Sequence, residues 1–403
     1  MTVAEGWVAY VGPFPFPWGQ AASRRMHGIA LSLAASGYPV VVGTGESVPS
    51  VETPLDDEPS LGILRIGLSE LPIANDSVLK KIVRVLFGWG KRTIAWLESA
   101  PCLPAIVIVY GGGTPYAARL LRWGRKRNVP IIFDVVEWYE SSHFIGGGLN
   151  PFSVSAEIAM RYLYPRADGI IAISSFLADH YRDKGRKVLR IPPTLDVRSA
   201  ASAPPTRRRS DTDVRLKLIY AGTPGKKDSL GTMLAAVRMV DPDGSKLKLD
   251  VLGVNVSQAS IYKEKGNDYG NVEFHGVVKQ SEVVGFLMDA DFSVLVREPL
   301  RFAQAGFPTK FVESLSAGTP VIANLTSDIG MYLLDGVNGL TLDGHSVRCL
   351  VEGLERALEL SASELDAMRA AARLSAIEHF DSGIYATDMR DFLSDVKMAG
   401  RSS

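Results

Sequence analysis

The sequence has few of the features that mark secreted, membrane-spanning or nucleic-acid-binding proteins. Only two cysteines occur in 403 residues, Cys102 and Cys349, which argues against a disulfide scaffold and favours a reducing compartment. Lys plus Arg numbers 44 and so does Asp plus Glu, so no net charge attracts nucleic acid or acidic lipid. Apolar runs fall short of the ~18 residues that span a bilayer, and Glu5 lies where a signal peptide carries positive charge. We therefore expect a cytoplasmic protein.

The glycine fingerprint of dinucleotide-binding proteins, Gly-x-Gly-x-x-Gly, is also missing. The loop after the first apolar run reads GPFPFPWGQAASRR from Gly12, and the loop after Tyr110 reads GGGTP. Neither spacing fits the fingerprint, which disfavours a nicotinamide-dependent dehydrogenase.

Short apolar runs alternate with helical patterns along most of the chain. Met26, Ile29 and Leu33 recur with the 3.6-residue period of a helix, and Gly37 marks the end of that helix. The alternation predicts strand–helix units with parallel sheets. Strands are predicted at 7–11, 40–42, 105–109, 131–133, 169–173 and 188–191, and then at 216–220, 247–252, 272–274, 292–296 and 320–323. Beyond residue 342 the pattern is helical.

A polar segment divides these units into two sets. Residues 198–214 read RSAASAPPTRRRSDTDV, which is the composition of a linker. We predict two doubly wound α/β domains, over 1–197 and 215–375. Because ligands bind outside the carboxyl ends of parallel strands, two such domains create a cleft suited to a phosphate-bearing nucleotide substrate.

Two loops of the first domain carry candidate residues. Gly19 lies just before a helix, where small neighbours leave room for an anion at the helix N-terminus, although a plain connection would look similar. Asp134 and Glu137 follow the strand at 131–133, and His143 comes soon after. Side chains at a strand's carboxyl end face the ligand, so these three are candidates for a general base. A solvated turn with aromatic packing is the alternative.

The second domain carries candidates for phosphate binding. Gly222 and Lys227 follow the strand at 216–220, where a glycine turn and a lysine suit a diphosphate. Pro308 predicts a helix start, so Lys310 lies in a first turn that disfavours a cation unless an anion binds there. Glu313, one turn later, could accept hydrogen bonds from sugar hydroxyls. The alternatives are that the loop after residue 220 is a surface turn with exposed lysines, and that Lys310 is solvated and pairs with Glu313.

The stretch from residue 305 to 323 resembles the family-4 retaining glycosyltransferases of the GT-B fold. Their usual form is Glu-Gly-Phe-Gly, four residues, Glu, then small residues and Pro-Val-Ile-Ala. Here the run is Ala305-Gly306-Phe307-Pro308, then Glu313, then SAGTPVIA from Ser316. Other matching motifs follow in the family's order: Gly19 with Ala22-Ser23, ADGIIAIS from Ala167, IPPTLD from Ile191, Gly276 with Asp291, and Asn338-Gly339-Leu340. The resemblance covers almost the whole chain.

The resemblance implies two Rossmann-like domains facing across a cleft, with a nucleotide-sugar donor held mainly by the second. Glu313 would bind the ribose, Lys227 the diphosphate, and the segments around Leu252-Gly253 and His275–Val278 the base. The last helix, within 376–403, would pack back on the first domain. The donor-binding residues expected on this basis are Gly19, Gly222, Lys227, His275, Arg301, Gly306, Phe307, Thr309 and Glu313, and the expected catalytic residues are Asp134, Glu137, His143 and Lys310.

Two positions depart from the family's pattern. Ala305 replaces the first glutamate of the motif, and Thr223 stands where an arginine often binds the diphosphate. Glu298, Arg301 or Lys310 could compensate, and Arg301 is attractive because a guanidinium binds phosphate through two hydrogen bonds. We expect metal-independent hexosyl transfer from a UDP- or GDP-linked sugar, without a cofactor, in surface polysaccharide or glycoconjugate synthesis. The alternatives are a nucleotide-sugar epimerase of the same fold and a non-catalytic nucleotide-binding subunit.

Residues 77–99 form a basic and aromatic segment, SVLKKIVRVLFGWGKRTIAWLES. Such a helix can lie on an anionic membrane surface, which would suit a lipid-linked acceptor and place the enzyme at the inner face of the membrane. An ordinary helix that covers the domain core is the alternative. No feature of the sequence predicts a nucleic-acid partner.

Overall fold

The computed structural model describes residues 6–17, 21–47, 53–54, 62–71, 87–143, 146–198, 215–222, 229–255 and 270–401. The chain divides into two compact units, one formed by Met1–Asp196 with Ser382–Ser403 and the other by Val197–Asp381. Each unit is a largely parallel sheet covered by helices, so the predicted α/β fold with two Rossmann-like domains is confirmed. Among the described helices, none combines the length and the apolar character needed to cross a membrane.

The sheet of the first unit is parallel except at one edge. Its strands lie in the order β3-β4-β2-β1-β5-β6-β7-β8, and β3 alone runs antiparallel, against β4. Every residue of the central strand β5, IVIVY, is buried, as a strand covered on both faces requires. The strands are β1 (Val8–Val11), β2 (Val40–Thr44), β3 (Thr53–Pro54), β4 (Ile63–Gly67), β5 (Ile106–Tyr110), β6 (Ile131–Val135), β7 (Gly169–Ala172) and β8 (Val188–Arg190).

Local sequence signals set the helix ends in this unit. The helices that follow the strands are α1 (Ala21–Ala35), α2 (Lys91–Ser99), α3 (Thr114–Arg127), α4 (Pro151–Ile158) and α5 (Ser175–Arg182). Pro115 lies in the first turn of α3, and Asn128 ends that helix at φ 55°. Ser174 caps α5 by accepting a hydrogen bond from the Leu177 amide. The chain continues from α4 through a π-helical turn, Ala159–Leu163, and a 3-10 turn, Tyr164–Arg166.

The second unit contains a six-stranded parallel sheet in its described residues. The strands lie in the order β11-β10-β9-β12-β13-β14 and are β9 (Leu216–Ala221), β10 (Leu247–Leu252), β11 (Val272–Gly276), β12 (Phe292–Leu295), β13 (Val321–Asn324) and β14 (Gly339–Leu342). The helices are α6 (Leu230–Val240), α7 (Gln280–Asp289), α8 (Arg301–Ala305), α9 (Thr309–Ser316), α10 (Val347–Leu358) and α11 (Ala362–His379). Leu218 and Tyr220 of β9 join one buried cluster and Ile219 joins another, because alternate side chains point to opposite faces.

The last helix, α12 (Ala386–Arg401), belongs to the first unit. Met389, Leu393 and Val396 are fully buried in the core that also contains β1 and α1. The helix approaches β7 so closely that a Cβ on Gly169 would lie 2.8 Å from the Phe392 ring. Glycine at the start of β7 therefore makes room for α12.

Every predicted strand is present, with ends shifted by no more than two residues, and the predicted helix after Pro308 is α9. The sequence did not predict three of the described strands, namely β3, β4 and β14. The predicted linker over 198–214 lies almost wholly outside the described residues.

Candidate functional site

The carboxyl edge of the second sheet gathers three glycine turns. They follow or end the neighbouring parallel strands β9, β10 and β11. The Gly222 amide donates to the Leu252 carbonyl at 3.2 Å, and the Gly253 amide donates to the Gly276 carbonyl at 2.6 Å. Gly222, Gly253 and Gly276 have φ values of 142°, 85° and 73°, which side chains other than glycine rarely adopt. The turns therefore form one backbone rim that a ligand can approach closely.

Lys310 reaches this rim from the first turn of α9. Its Nζ lies 2.8 Å from the Tyr220 hydroxyl and 4.2 Å from the centroid of that ring. A Cβ added to Gly222 would come 2.3 Å from Lys310 Cε and 2.8 Å from Nζ. Glycine at position 222 therefore leaves the room that the Lys310 side chain occupies. The structure brings together two residues that the sequence placed in separate motifs.

The start of α9 adds to the positive potential beside Lys310. Pro308 precedes the helix, Thr309 is its first residue, and neither a side-chain cap nor an acidic residue occupies the first turn. Helix N-termini carry a partial positive charge. Glu313 lies three residues after Lys310 on the same side of the helix and is half-buried. An anion at the glycine rim would lie beside Lys310, and Glu313 follows one turn later in the helix.

Arg301 lies beyond the carboxyl end of β12, the strand that neighbours β9 in the sheet. It is the first residue of α8, and five residues separate it from the end of β12. The side chain of Gln304 in the same helix accepts a hydrogen bond from the Ser327 amide at 2.7 Å, which ties α8 to the loop after β13. Arg301 is half-buried at the same edge of the sheet as Lys310.

The residues between these two helices are packed into the unit. Gly306 ends α8, and Ala305 before it is fully buried. The Phe307 ring lies within 6.0 Å of the Phe311, Tyr332 and Phe380 rings, measured between centroids. The Phe307 side chain therefore anchors the turn between α8 and α9, and its backbone leads directly to Thr309 and Lys310.

The His275 side chain is held in a charged network between β10 and β11. Its Nε2 lies 2.8 Å from Asp250 Oδ1, and its ring packs 4.7 Å from the Phe286 ring of α7. Lys248 Nζ lies 3.2 Å from Asp250 and 3.0 Å from Glu273. Asp250, Glu273 and His275 form a possible metal-ligating group, with donor atoms within 4.8 Å of one another. The lysine already supplies a cation to both carboxylates, and the chain reaches the glycine rim one residue later.

Asp241 and Asp243, which superficially match a metal-binding Asp-x-Asp pattern, form a turn. The Asp241 carboxylate accepts hydrogen bonds from the amides of Ser245, Lys246 and Leu247 at 2.8–3.0 Å. These bonds close the turn before β10 and account for the Asp241 carboxylate as a structural group.

In the first unit, Asp134 lies at the carboxyl end of β6 in a buried ion pair. Its carboxylate accepts hydrogen bonds from the Arg25 guanidinium, the shortest at 2.8 Å, and from the Tyr10 hydroxyl at 2.6 Å. Burial raises the pKa of Tyr10 well above its ordinary value, and Asp134 adds to this shift, so the phenol remains a donor. Arg25 also donates to the carbonyls of Ile191 and Pro192, both at 2.7 Å. Asp134 thus joins β1, β6 and α1 to the segment after β8.

Glu137 lies beyond Asp134 and is half-buried, and it accepts a hydrogen bond from the Tyr139 hydroxyl. Burial, followed by the Glu137 charge, raises the Tyr139 pKa. His143 ends a 3-10 turn, Ser141–His143, and its side chain lies outside the described residues. Gly19 and Lys227 also lie outside the described residues.

Sequence reasoning missed Arg25, Tyr10 and Tyr220. Arg25 carried a signal, because it occupies a position four residues before Ile29 on the apolar stripe of α1. A charge on a buried helix face needs a buried partner. Tyr10 and Tyr220 stand inside strands, where the pattern shows burial but not the direction of the hydroxyl group.

Two family models match the chain, one in each unit. The model described as a glycosyl transferase 4-like domain matches residues 20–194, and the model described as glycosyl transferases group 1 matches residues 215–360. Together they span most of the chain. No curated protein matches it significantly.

Solved structures with the same fold cover nearly the whole chain at low identity. Sucrose-phosphate synthase from Thermosynechococcus elongatus has a TM-score of 0.72 and 14% identity, over 98% of this chain and 100% of its own. HepE from Anabaena, in complex with UDP-glucose, has a TM-score of 0.63 and 13% identity, over 96% and 99%. The lipopolysaccharide outer core galactosyltransferase WaaB has a TM-score of 0.62 and 13% identity, over 96% and 98%.

Proposed function

The chain belongs to the glycosyltransferases of the GT-B fold, and on that premise we propose that it moves a sugar from a nucleoside diphosphate to an acceptor hydroxyl with retention of configuration. The observation that carries the proposal is the Lys310 ammonium beside Gly222 at the carboxyl edge of the second sheet. A lysine, a glycine turn and an uncapped helix N-terminus suit a diphosphate. The HepE structure with UDP-glucose supports a nucleotide-sugar donor. UDP and GDP are the proposed carriers.

In this proposal the second unit stabilises the leaving group. The bond from the anomeric carbon to the diphosphate oxygen breaks, and a bond to the acceptor oxygen forms. Negative charge gathers on the diphosphate, where Lys310, Lys227, Arg301 and the N-terminus of α9 would stabilise it without a metal ion. Thr309 and Gly306 would offer backbone contacts. The acceptor's proton would pass to a base or to the departing phosphate.

Glu313 and the glycine rim would orient the rest of the donor. The carboxylate, one turn from Lys310, would accept hydrogen bonds from the ribose hydroxyls. The backbone around Gly253 and Gly276 would lie against the base, where a side chain would obstruct it. The His275 ring, bonded to Asp250, would fix this edge rather than reach the base itself.

We place the acceptor on the first unit, near Glu137, His143 and Gly19. Glu137 is the better candidate for a general base than Asp134, because Asp134 already accepts hydrogen bonds from Arg25 and Tyr10. We assign Asp134 a positioning role for the end of β6, from which the Glu137 loop departs. A surface polysaccharide or glycoconjugate precursor is the proposed acceptor, and a hexose the proposed sugar.

The experiment is thermal stabilisation of the purified protein by UDP, GDP, ADP and their sugar conjugates. A ligand at a hundredfold excess over its dissociation constant stabilises the folded state by about 2.7 kcal/mol. We expect one nucleotide family to raise the melting temperature. Lys310→Ala should weaken that effect, and Lys246→Ala, which removes an exposed lysine elsewhere in the second unit, should not. A folded protein that no nucleotide stabilises would contradict the proposal.

Ala305 favours one alternative, a subunit that binds nucleotide without turnover. The residue is fully buried where the resemblance places a glutamate near the donor sugar. Such a subunit would bind the nucleotide normally and release no product from any acceptor mixture. A nucleotide-sugar epimerase would instead convert the donor without an acceptor, so analysis of the donor after incubation alone distinguishes it.

A further inference from the structure

A basic layer of helices covers one part of the first unit, although the chain as a whole carries no net charge. We define this layer as α2, α3 and the helical run 151–166. It contains nine Lys and Arg residues: two in α2, five in α3 and two in the run. Its only carboxylates are Glu98 and Glu157. Glu98 pairs with Arg127, and Glu157 pairs with Arg161, so the layer retains an excess of positive charge.

The basic side chains of α3 face outward. Arg122, Arg125 and Lys126 are exposed, while Leu120 and Leu121 of the same helix are buried. The run 151–166 lies beside α3, since the Thr114 amide and hydroxyl bond to Ser155. The acidic residues between α3 and the run 151–166 are Asp134, at the carboxyl end of β6, and Glu137 and Glu140 beyond it, and Asp134 is neutralised by Arg25.

The same layer, together with the 3-10 turn Gly147–Leu149 that leads into it, exposes apolar side chains to an unusual extent. Leu149 is 92% exposed immediately before α4, and Tyr162 is 59% exposed in the π-helical turn. Val154 and Ile158 precede Tyr162 at four-residue steps, so the three lie on one side of the run and are all exposed. Phe152 is exposed as well. Large apolar side chains grouped at the surface mark a contact with another apolar phase or partner.

The positive charge of the basic layer indicates what kind of partner binds this surface. A second copy of this chain that offered the same face, as in a two-fold dimer, would bring the same excess of positive charge against it, which is unfavourable. An anionic bilayer offers both negative headgroups for the arginines and a hydrocarbon boundary for the apolar side chains. We propose that the basic layer docks the enzyme on an anionic membrane surface, with Leu149 and Tyr162 inserted between headgroups. This docking goes beyond the proposed sugar transfer and does not require turnover.

The described part of the segment 77–99 contributes fewer exposed aromatic side chains to the docking surface than its sequence predicted. Trp96 is buried, with its ring 5.7 Å from that of Trp7, and the Trp89 indole donates to the Glu70 carbonyl at 3.0 Å. Phe87, Lys91 and Arg92 are exposed. Residues 77–86 lie outside the described residues. The docking surface therefore rests chiefly on α3 and the run 151–166.

The test is co-sedimentation of the full chain with vesicles of phosphatidylcholine alone or mixed with phosphatidylglycerol. We expect binding to the mixed vesicles only, weakened by salt. Arg122→Glu with Arg125→Glu should lower the partition coefficient by at least about thirtyfold, since loss of each basic residue near the surface costs about fivefold and each new carboxylate is repelled by the anionic lipid. The matched pair Arg215→Glu with Lys246→Glu, on the second unit, should leave it unchanged.

The apolar contribution is tested by Leu149→Ser with Tyr162→Ser, which should lower the partition about tenfold or more. The control, Met239→Ser with Leu374→Ser, removes side chains that are 66% and 54% exposed on the second unit, and should have no effect. Equal binding of all variants, or binding to neutral vesicles, would overturn the proposal. So would a dimer, seen by sedimentation velocity, that Leu149→Ser with Tyr162→Ser dissociates. Nucleotide stabilisation, measured without vesicles, reports separately on the transfer site.

Discussion

Replacing Gly222 by alanine tests the relation between the glycine rim and Lys310. The new Cβ would lie 2.3 Å from Lys310 Cε, so the flexible end of the lysine must move away. The backbone at φ 142° adds strain of about 1–3 kcal/mol, which a unit of this size tolerates. Loss of one charge-assisted hydrogen bond to the diphosphate costs about 1.5–3 kcal/mol. The dissociation constant of the nucleoside diphosphate should therefore rise about 10- to 150-fold.

Isothermal titration calorimetry with the nucleotide identified by thermal stabilisation measures this change. Gly231→Ala is the matched control, because a Cβ at that position in α6 meets nothing within 4 Å. The double variant Gly222→Ala with Lys310→Ala should bind no more weakly than Lys310→Ala alone, since both changes remove one interaction. A Gly222→Ala protein that is folded and binds with an unchanged dissociation constant would refute the reasoning.

Two further predictions concern buried carboxylates of the first unit. Asp134→Asn should lower the free energy of unfolding by about 3–5 kcal/mol, because it leaves the Arg25 guanidinium buried without its anion, and denaturant unfolding measures this; a loss below ~1 kcal/mol would contradict the pairing. Burial raises the pKa of Glu70, although the Thr93 and Gly90 amides oppose the shift. The native state therefore binds the Glu70 proton more tightly, and the stabilisation is lost as pH rises from about 4.5 through the raised pKa. The melting temperature of wild type minus that of Glu70→Gln should fall over that range, and a rise would contradict this sign.

The sequence predicted most of the two sheets because buried parallel strands are continuous apolar runs. The strands it missed lack that pattern. β4 contains Arg65 and lies near the sheet edge, and β14 is a four-residue strand that begins with a glycine. β3 has two residues and is paired antiparallel. Short strands of this kind are specified by the neighbours they pair with, which no local pattern shows.

The candidate site was predictable only in part, for a similar reason. Motif and helix-dipole arguments singled out Gly222 and Lys310 separately, but their contact depends on the backbone angle at Gly222. Asp134 was expected at the end of a strand and lies there, yet its partner Arg25 is 109 residues away in sequence. Phe307 was expected at the donor, and its ring is packed among other aromatic rings. Sequence position indicates which edge a residue occupies, whereas the direction of its side chain depends on tertiary packing.

The return of α12 to the first unit has a consequence for the order of events during synthesis. Translation reaches residues 197–381 before α12, so the first unit cannot complete its core until the second unit has been synthesised. Until then the first unit, although translated earlier, lacks Phe392 and Val396, and the apolar surface beside Gly169 stays uncovered. Its nascent form exposes apolar surface for the time needed to translate the second unit. A stop codon near residue 381 would therefore damage the half of the enzyme that is farther away in sequence.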